Sequence, residues 1–220
     1  MISINRLINR RSDFQVNDWI LDSGAFTRIS QGREHLPAVD YVDHIIRWST
    51  CGRLLAAVSQ DWMCEPFVLE ETGLNRVEHQ VLTIERFQEL RQLLGWRVYL
   101  MPVIQGYAPS DYQEHIQMYD SDLVEGAWVG VGSVCKRNAR PNQVSEILEA
   151  IWEVRPDLQL HGFGIKTTAL RSHRVSRRLY SCDSMAWSYA ARRDGRNPNS
   201  VDEAIQFTEQ IVNQPMQLEF

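Results

Sequence analysis

Apolar and polar positions follow two rhythms along this chain. Short, mostly apolar runs that break into small or acidic residues recur at Trp19 to Leu21, Leu54 to Ser59, Val98 to Ile104, Ala127 to Ser133, Leu158 to Gly164 and Arg178 to Ser181. Runs of this length, bounded by turn residues, suit strands buried on both faces. Pro102 inside the third run predicts an irregular strand or a lapse in ladder bonding. Between the runs, apolar residues return at helical spacing. Pro37 to Trp48 carries Val39, Val42, Ile45 and Ile46 beside Asp40, Asp43 and Arg47. Arg76 to Leu94 is the clearest helix, with Val77, Val81, Ile84, Phe87 and Leu90 on one side and Gly95 at its stop. Ser110 or Asp111 is expected to cap a helix reaching Tyr119 by accepting a free backbone N–H. Pro141 to Trp152 predicts a helix that starts near a proline, Arg28 to Glu34 a turn, and Thr167 to Ser172 a short helix or turn. Asp202 to Val212 reads as the closing helix, with Ala204, Ile205, Phe207 and Ile211 available for packing.

Strand alternating with helix makes this an α/β fold, because parallel strands need crossovers that cover the sheet. A TIM-type (β/α) barrel, minimal or irregular, is favoured, since polar residues recur at the ends of nearly every strand candidate and barrel enzymes build their sites there. Six strand candidates are two fewer than a complete barrel requires. The missing pair is either hidden in the first 18 residues and the C-terminal tail or absent, and an open doubly wound sheet is the alternative. At 220 residues and 44% hydrophobic, the chain holds one full-sized core, so residues 1–220 are expected to form a single domain.

Charge refines the picture. The net charge of −5 gives no general attraction to nucleic acid, but Lys166 to Arg196 carries eight basic residues against Asp183 and Asp194. Such a local field can hold a polyanion on an acidic protein. Arginine outnumbers lysine 21 to 2, and its planar fork suits phosphate. Cys51, Cys64, Cys135 and Cys182 stand singly, without the spacing of a tetrahedral metal site, and read as reduced structural thiols. No run approaches the ~20 apolar residues that span a bilayer, and the N-terminus lacks a secretory apolar stretch. A cytoplasmic protein with no membrane partner is expected.

Two aspartates carry the chemistry. Asp22 ends the first run, Asp183 follows the last, and in one parallel barrel both would face one open pocket. A pair of carboxylates is the minimum equipment for displacing one group from a carbon while shuttling a proton.

The motif order resembles a known family. Asp22-Ser23-Gly24-Ala25-Phe26 is similar to the Asp-Ser-Gly-Gly-Phe segment of the queuine-type tRNA-guanine transglycosylases. Gln105-Gly106 resembles their Gln-Gly segment, Gly130-Val131-Gly132 their glycine pair, His161-Gly162-Phe163-Gly164-Ile165 their glycine-spaced run, and Cys182-Asp183 the position of their nucleophile. These matches cover roughly residues 19 to 196. Within the superfamily, the short length and altered motifs most resemble the phage and bacterial enzymes that place 7-deazaguanine bases into DNA. The family's cysteine-rich zinc motif is absent after Cys182, so neither a zinc-binding subdomain nor any metal or cofactor is expected. Ala25 replaces the second glycine.

The resemblance implies base exchange through a covalent aspartyl-glycosyl intermediate. Asp183 would attack the sugar C1′, and Asp22 would give a proton toward guanine and then take one from the incoming 7-deazaguanine. Asp61 matches the base-recognising aspartate, with Glu65 near enough in sequence to compete. Gln105 and Gly106 would serve the carbonyl edge, Gly130, Val131, Gly132 and Gly164 would admit the base, and Tyr107 could stack on it. His161 could polarise a bound group and reads at least as well as a hydrogen-bonded core residue. Lys166, Arg171, Arg174, Arg177, Arg178, Arg192, Arg193 and Arg196 are the candidate phosphate contacts, with Trp187 and Tyr189 either supporting a displaced neighbouring base or anchoring this loop against the barrel. The implied partners are DNA and a free 7-deazaguanine. Duplex DNA would have to flip its guanine out, and target choice would fall to flanking nucleotides, to homo-oligomerisation or to a specificity partner. The alternatives are a tRNA-directed exchanger, a nucleic-acid glycosylase, and a nucleic-acid-binding barrel without activity.

Overall fold

The computed structural model describes residues 1–137 and 140–213. Among the described residues eight parallel strands form two sheets with the strictly sequential orders β1-β2-β3-β4 and β5-β6-β7-β8. They are β1 (Ile2–Ser3), β2 (Asp18–Asp22), β3 (Arg53–Val58), β4 (Leu100–Met101), β5 (Val103–Ile104), β6 (Trp128–Val131), β7 (Gln159–Gly162) and β8 (Ser181–Cys182). Pro102 alone separates β4 from β5. Having no N–H to give a ladder, it interrupts the pairing there, yet its carbonyl still accepts from Gly130 N at 2.9 Å. The expected irregular strand is therefore the joint between the sheets. The six strand candidates all appear in this set, with the last shifted to Ser181–Cys182, and β1 adds a short strand from the first 18 residues.

The helices are α1 (Ala25–Ile29), α2 (Ala38–Trp48), α3 (Pro66–Thr72), α4 (Arg76–Leu94), α5 (Pro109–Tyr119), α6 (Pro141–Val154), α7 (Thr167–Leu170), α8 (His173–Ser176), α9 (Ala186–Arg193) and α10 (Val201–Val212). Alternation along the strands sorts side chains onto two faces. Trp19, Leu21, Ala57, Leu100, Ile104, Val129, Val131 and Leu160 pack in the main core with helix residues such as Tyr41, Ile45, Phe87, Ile116 and Ile147. On the other face Ala56, Val58, Met101 and Val103 cluster with Ile20, Trp128 and Phe163. The sheet is strongly curled. Laid flat, β2 and β8 would stand five strand spacings apart, about 24 Å at the usual spacing, yet Asp22 and Asp183 line one cavity. Among the described residues no ladder pairing joins β8 to β1.

Several helix expectations need correction. In α4, Val77 and Val81 are 45% and 38% exposed, and the buried face starts instead with His79, Gln80 and Thr83 before Ile84, Phe87 and Leu90. Asn75 and Glu78 close a reciprocal capping box at its start, and Gly95, with φ +62°, ends it. Neither Ser110 nor Asp111 is the cap of α5. Both lie inside its first turn, where Asp111 Oδ2 reaches back to accept from Tyr107 N (2.8 Å) and Ala108 N (2.7 Å). The Arg28 to Glu34 turn is preceded by α1, and α3 had no counterpart in the sequence pattern. The α10 helix buries no residue completely and packs on α9, so it does not close the core. No described helix is long and apolar enough to cross a membrane.

Candidate active site

The curl leaves a cavity of about 310 Å³ at the carboxyl ends of the strands. Successive strands each contribute to it: Asp22 ends β2, Asp61 follows β3, Gln105 follows β5, Gly132 and Ser133 follow β6, Gly164 follows β7 and Asp183 follows β8.

One wall is braced from behind by polar side chains of α4. The segment after β3 is held at four consecutive residues by side chains from elsewhere in the fold. His35 Nε2 donates to Asp61 O (3.0 Å), Thr83 Oγ1 accepts from Trp62 N (2.9 Å), His79 Nδ1 donates to Met63 O (2.6 Å), and Ser133 Oγ accepts from Cys64 N (3.0 Å). Gln105 is held on both sides of its peptide. Its N–H donates to His115 Nδ1 (2.8 Å), and its carbonyl accepts from Gln80 Nε2 (2.7 Å). Burial pushes His35 and His115 down to about 3, so both act as neutral scaffolding. The Gln105 amide donates to Asp61 Oδ2 and lies 2.8 Å from Ser133 Oγ, which lies 2.7 Å from Glu65 Oε2. Four side chains thus form one buried polar row along the back of the cavity.

The other wall carries the two acids. Asp22 is half-buried, and desolvation raises its carboxyl to about 6, helped by repulsion from Asp183 and opposed by hydrogen bonds from Ser3 and the Gly24 backbone. Ser3 is its register partner on β1. Asp61 is raised to about 7, again chiefly by burial, with Asp22 and Glu65 adding repulsion and the Gln105 bond opposing it. The Asp183 side chain keeps 18% of its surface exposed. Its Oδ1 accepts from Gly164 N at 3.0 Å and lies 3.5 Å from His161 Nε2, near enough for attraction though that nitrogen makes no hydrogen bond. His161 Nδ1 pairs with Ser181 Oγ (2.8 Å), which also accepts from Trp128 Nε1 (2.9 Å). Three acids of unequal burial thus share one small space, an arrangement that holds one carboxyl protonated while another is ionised.

The remaining sequence candidates divide. Asp22, Asp61, Gln105, Gly132, Gly164 and Asp183 line the cavity, whereas Gly106, Tyr107, Gly130 and Val131 do not. The N–H groups of Gly130 and Gly132 are spent on Pro102 O and Ile104 O, so neither faces a ligand. What these glycines provide is room. A Cβ on Gly132 would stand 2.1 Å from Gln105 Nε2, and one on Gly130 would stand 2.4 Å from the Phe163 ring. Val131 belongs to the main core, and Gly106 packs on Tyr112 and Asp111. Tyr107 is 45% exposed and borders a neighbouring groove. Gly24, with φ +70°, is the residue of its segment that needs the left-handed region; Ala25 starts α1, where alanine fits readily.

The cations divide as well. Arg177 and Arg178 both pair with Glu149 at 2.7 Å, Arg178 stacks on Trp152, and both residues precede β8, at the end of the strand away from Asp183. Arg174 shares an outer groove with Glu146, Glu149 and Glu153. Arg193 and Arg196 pair with Asp194, and Arg196 also with Glu203. Lys166 caps α7 just beyond β7, Arg171 ends that helix, and Arg192 is exposed on α9. Sequence reasoning passed over a second basic group at the cavity rim. Lys136 lies over the Phe26 ring at 5.2 Å, Arg137 lies over Tyr107 at 4.2 Å, and both share a groove with Arg140. Their signal was present in the Lys-Arg pair four residues beyond Gly132. Ser133 was also missed, and its φ of +55° is unusual for a non-glycine residue. Among the described residues no group of three His, Cys, Asp or Glu could hold a metal ion.

A family model described as DpdA, DeoxyPurine in DNA protein A, matches residues 1–208. No curated protein matches the chain.

Proposed function

Because this chain belongs to the DpdA family, and is therefore a base-exchanging glycosyltransferase that modifies DNA with 7-deazaguanine, we propose that Asp183 and Asp22 carry the exchange. Ionised Asp183 attacks C1′ of a target deoxyguanosine, and the C1′–N9 bond breaks as the aspartyl-glycosyl bond forms. Protonated Asp22 gives its proton to the departing guanine. The resulting carboxylate then takes the N9 proton of the incoming base, N9 bonds to C1′, and Asp183 leaves. Splitting one displacement into two makes each step easier and seats the incoming base on the face of C1′ that guanine left. The observation that carries this reading is the shared cavity, in which burial raises Asp22 to about 6 while Asp183 stays partly solvated against a backbone N–H. His161 positions Asp183, its ring turned by the bond to Ser181.

Asp61 and Gln105 recognise guanine. The carboxylate accepts from N1–H and the exocyclic amine, and the amide turns its donor from Asp61 to O6. The DNA backbone crosses the rim at Lys136, Arg137 and Arg140. These cations rest on aromatic rings or face a groove, whereas Arg177, Arg178, Arg193 and Arg196 spend their charge on acids. The curled sequential sheet is in keeping with one minimal (β/α) barrel domain, open along the seam between β1 and β8. The guanine must leave the stack to reach the cavity.

The test is exchange itself. DNA carrying labelled guanine is incubated with the protein and a 7-deazaguanine, then digested to nucleosides for mass measurement. Incorporation into intact strands, and a denaturation-resistant protein–DNA species that accumulates without incoming base, should both require Asp183. Release that leaves an abasic sugar would replace this reading with hydrolysis.

A further inference from the structure

The row Asp61, Gln105, Ser133, Glu65 ends on an unanswered oxygen. Glu65 is 3% exposed; its Oε2 lies 2.7 Å from Ser133 Oγ, while its Oε1 is buried without any hydrogen-bond partner. A buried carboxylate oxygen without a donor is costly. This one sits in the partition between two cavities, since Glu65 and Ser133 line both the 310 Å³ cavity and the neighbouring groove of about 680 Å³. Ser133 holds the partition from a left-handed backbone, φ +55°, a conformation kept only where the surroundings enforce it.

The order of the row matters. Around the edge of a 7-deazaguanine the groups run exocyclic amine, N1–H, O6, then the substituent at ring position 7. With Asp61 on the first two and Gln105 on O6, the next side chains along the row, Ser133 and Glu65, stand beside position 7. We infer that Glu65 selects the incoming base by that substituent, favouring one with N–H donors, such as an aminomethyl, amidine or carboxamide group, over a nitrile. A nitrile presents a lone pair to the carboxylate; an amine presents hydrogens and a positive charge. The inference rests on the base-exchange reading for its pose, and the adjoining groove gives a longer substituent somewhere to extend.

Calorimetry with free bases tests this without turnover. The wild-type protein should bind 7-aminomethyl-7-deazaguanine at least about ten-fold more tightly than 7-cyano-7-deazaguanine, the size of effect expected from a hydrogen bond to a charged acceptor. In E65Q the ratio should fall toward one. Equal wild-type affinities, or a ratio that E65Q leaves intact, would overturn the inference and assign Oε1 to a bound water. If E65Q does not fold, the wild-type ratio decides. Labelled exchange into DNA is run beside the binding measurement. A binding preference without exchange would refute the base-exchange reading while leaving the role of Glu65 standing, and exchange without a preference would do the reverse.

Discussion

The two walls of the cavity are built on opposite plans. On the wall proposed to recognise the base, Asp61 and Gln105 are held mainly through their peptides, by His35, His115 and Gln80, and the segment after β3 is pinned also by Thr83 and His79. On the wall proposed to react, Asp22 and Asp183 hang from the ends of strands of five and two residues. Asp183 is steadied by one backbone N–H and a histidine at 3.5 Å. A recognition surface gains from rigidity, because misfit then leaves polar groups unpaired and rejects the wrong base. A nucleophile must keep lone pairs free for the substrate. Substitutions on the two walls should therefore fail differently, one in rate and the other in affinity and stability.

The sharpest separation comes from D183N, expected to lower exchange at least about 10⁴-fold, as loss of a nucleophile does, and to abolish the covalent species while guanine still binds. D22N should cost about 10²- to 10⁴-fold, the range of general acid–base catalysis. Its wild-type signature is a pair of opposed pH profiles. On the proposed mechanism guanine release uses protonated Asp22 and should fall as pH rises through about 6, whereas insertion uses the carboxylate and should climb through the same value. Half-reactions measured separately and rising together would break the assignment.

On the recognition wall, D61N should weaken guanine binding about ten- to hundred-fold. It should also remove the rise in guanine affinity expected in the wild type as pH passes about 7 and Asp61 ionises. Stability moves the other way. With its carboxyl raised from 3.8 to about 7, the folded protein keeps a proton that the unfolded chain has lost, so Asp61 makes stability decline from about pH 4 to about pH 7. Denaturant titrations of D61N should lack that part of the decline. Q80A strands the carbonyls of Gln105 and Asp111 and should cost about 1–3 kcal/mol of stability, with a higher KM for the base and a smaller change in kcat.

The smallest effects lie outside both walls. Replacing Lys136 and Arg137 with glutamine should weaken DNA binding and lower its log–log salt slope by about 2, near 0.9 per phosphate contact. The same change at Arg178, already paired with Glu149, should leave that slope unmoved. A slope that responds to Arg178 and not to Arg137 would invert the proposed DNA path.

Much of this molecule could be read along the chain. The α/β alternation, α2, α4 and α6 with nearly their observed bounds, and the placement of Asp22, Asp61, Gln105 and Asp183 after strands follow from local patterns, since apolar periodicity and turn chemistry act over a few residues. Tertiary structure decided what depends on distant partners. The two-residue β1 exists because β2 pairs with it, and the valines of α4 face solvent because its polar residues are the ones the site loops need. Glu149, remote in sequence, withdrew Arg177 and Arg178 from the candidate DNA surface, and Ser133 joined Gln105 to Glu65 across segments with no sequence relation. Hydrogen bonds and ion pairs are short-ranged in space, not along the chain, so their partners became legible only when the sheet curled.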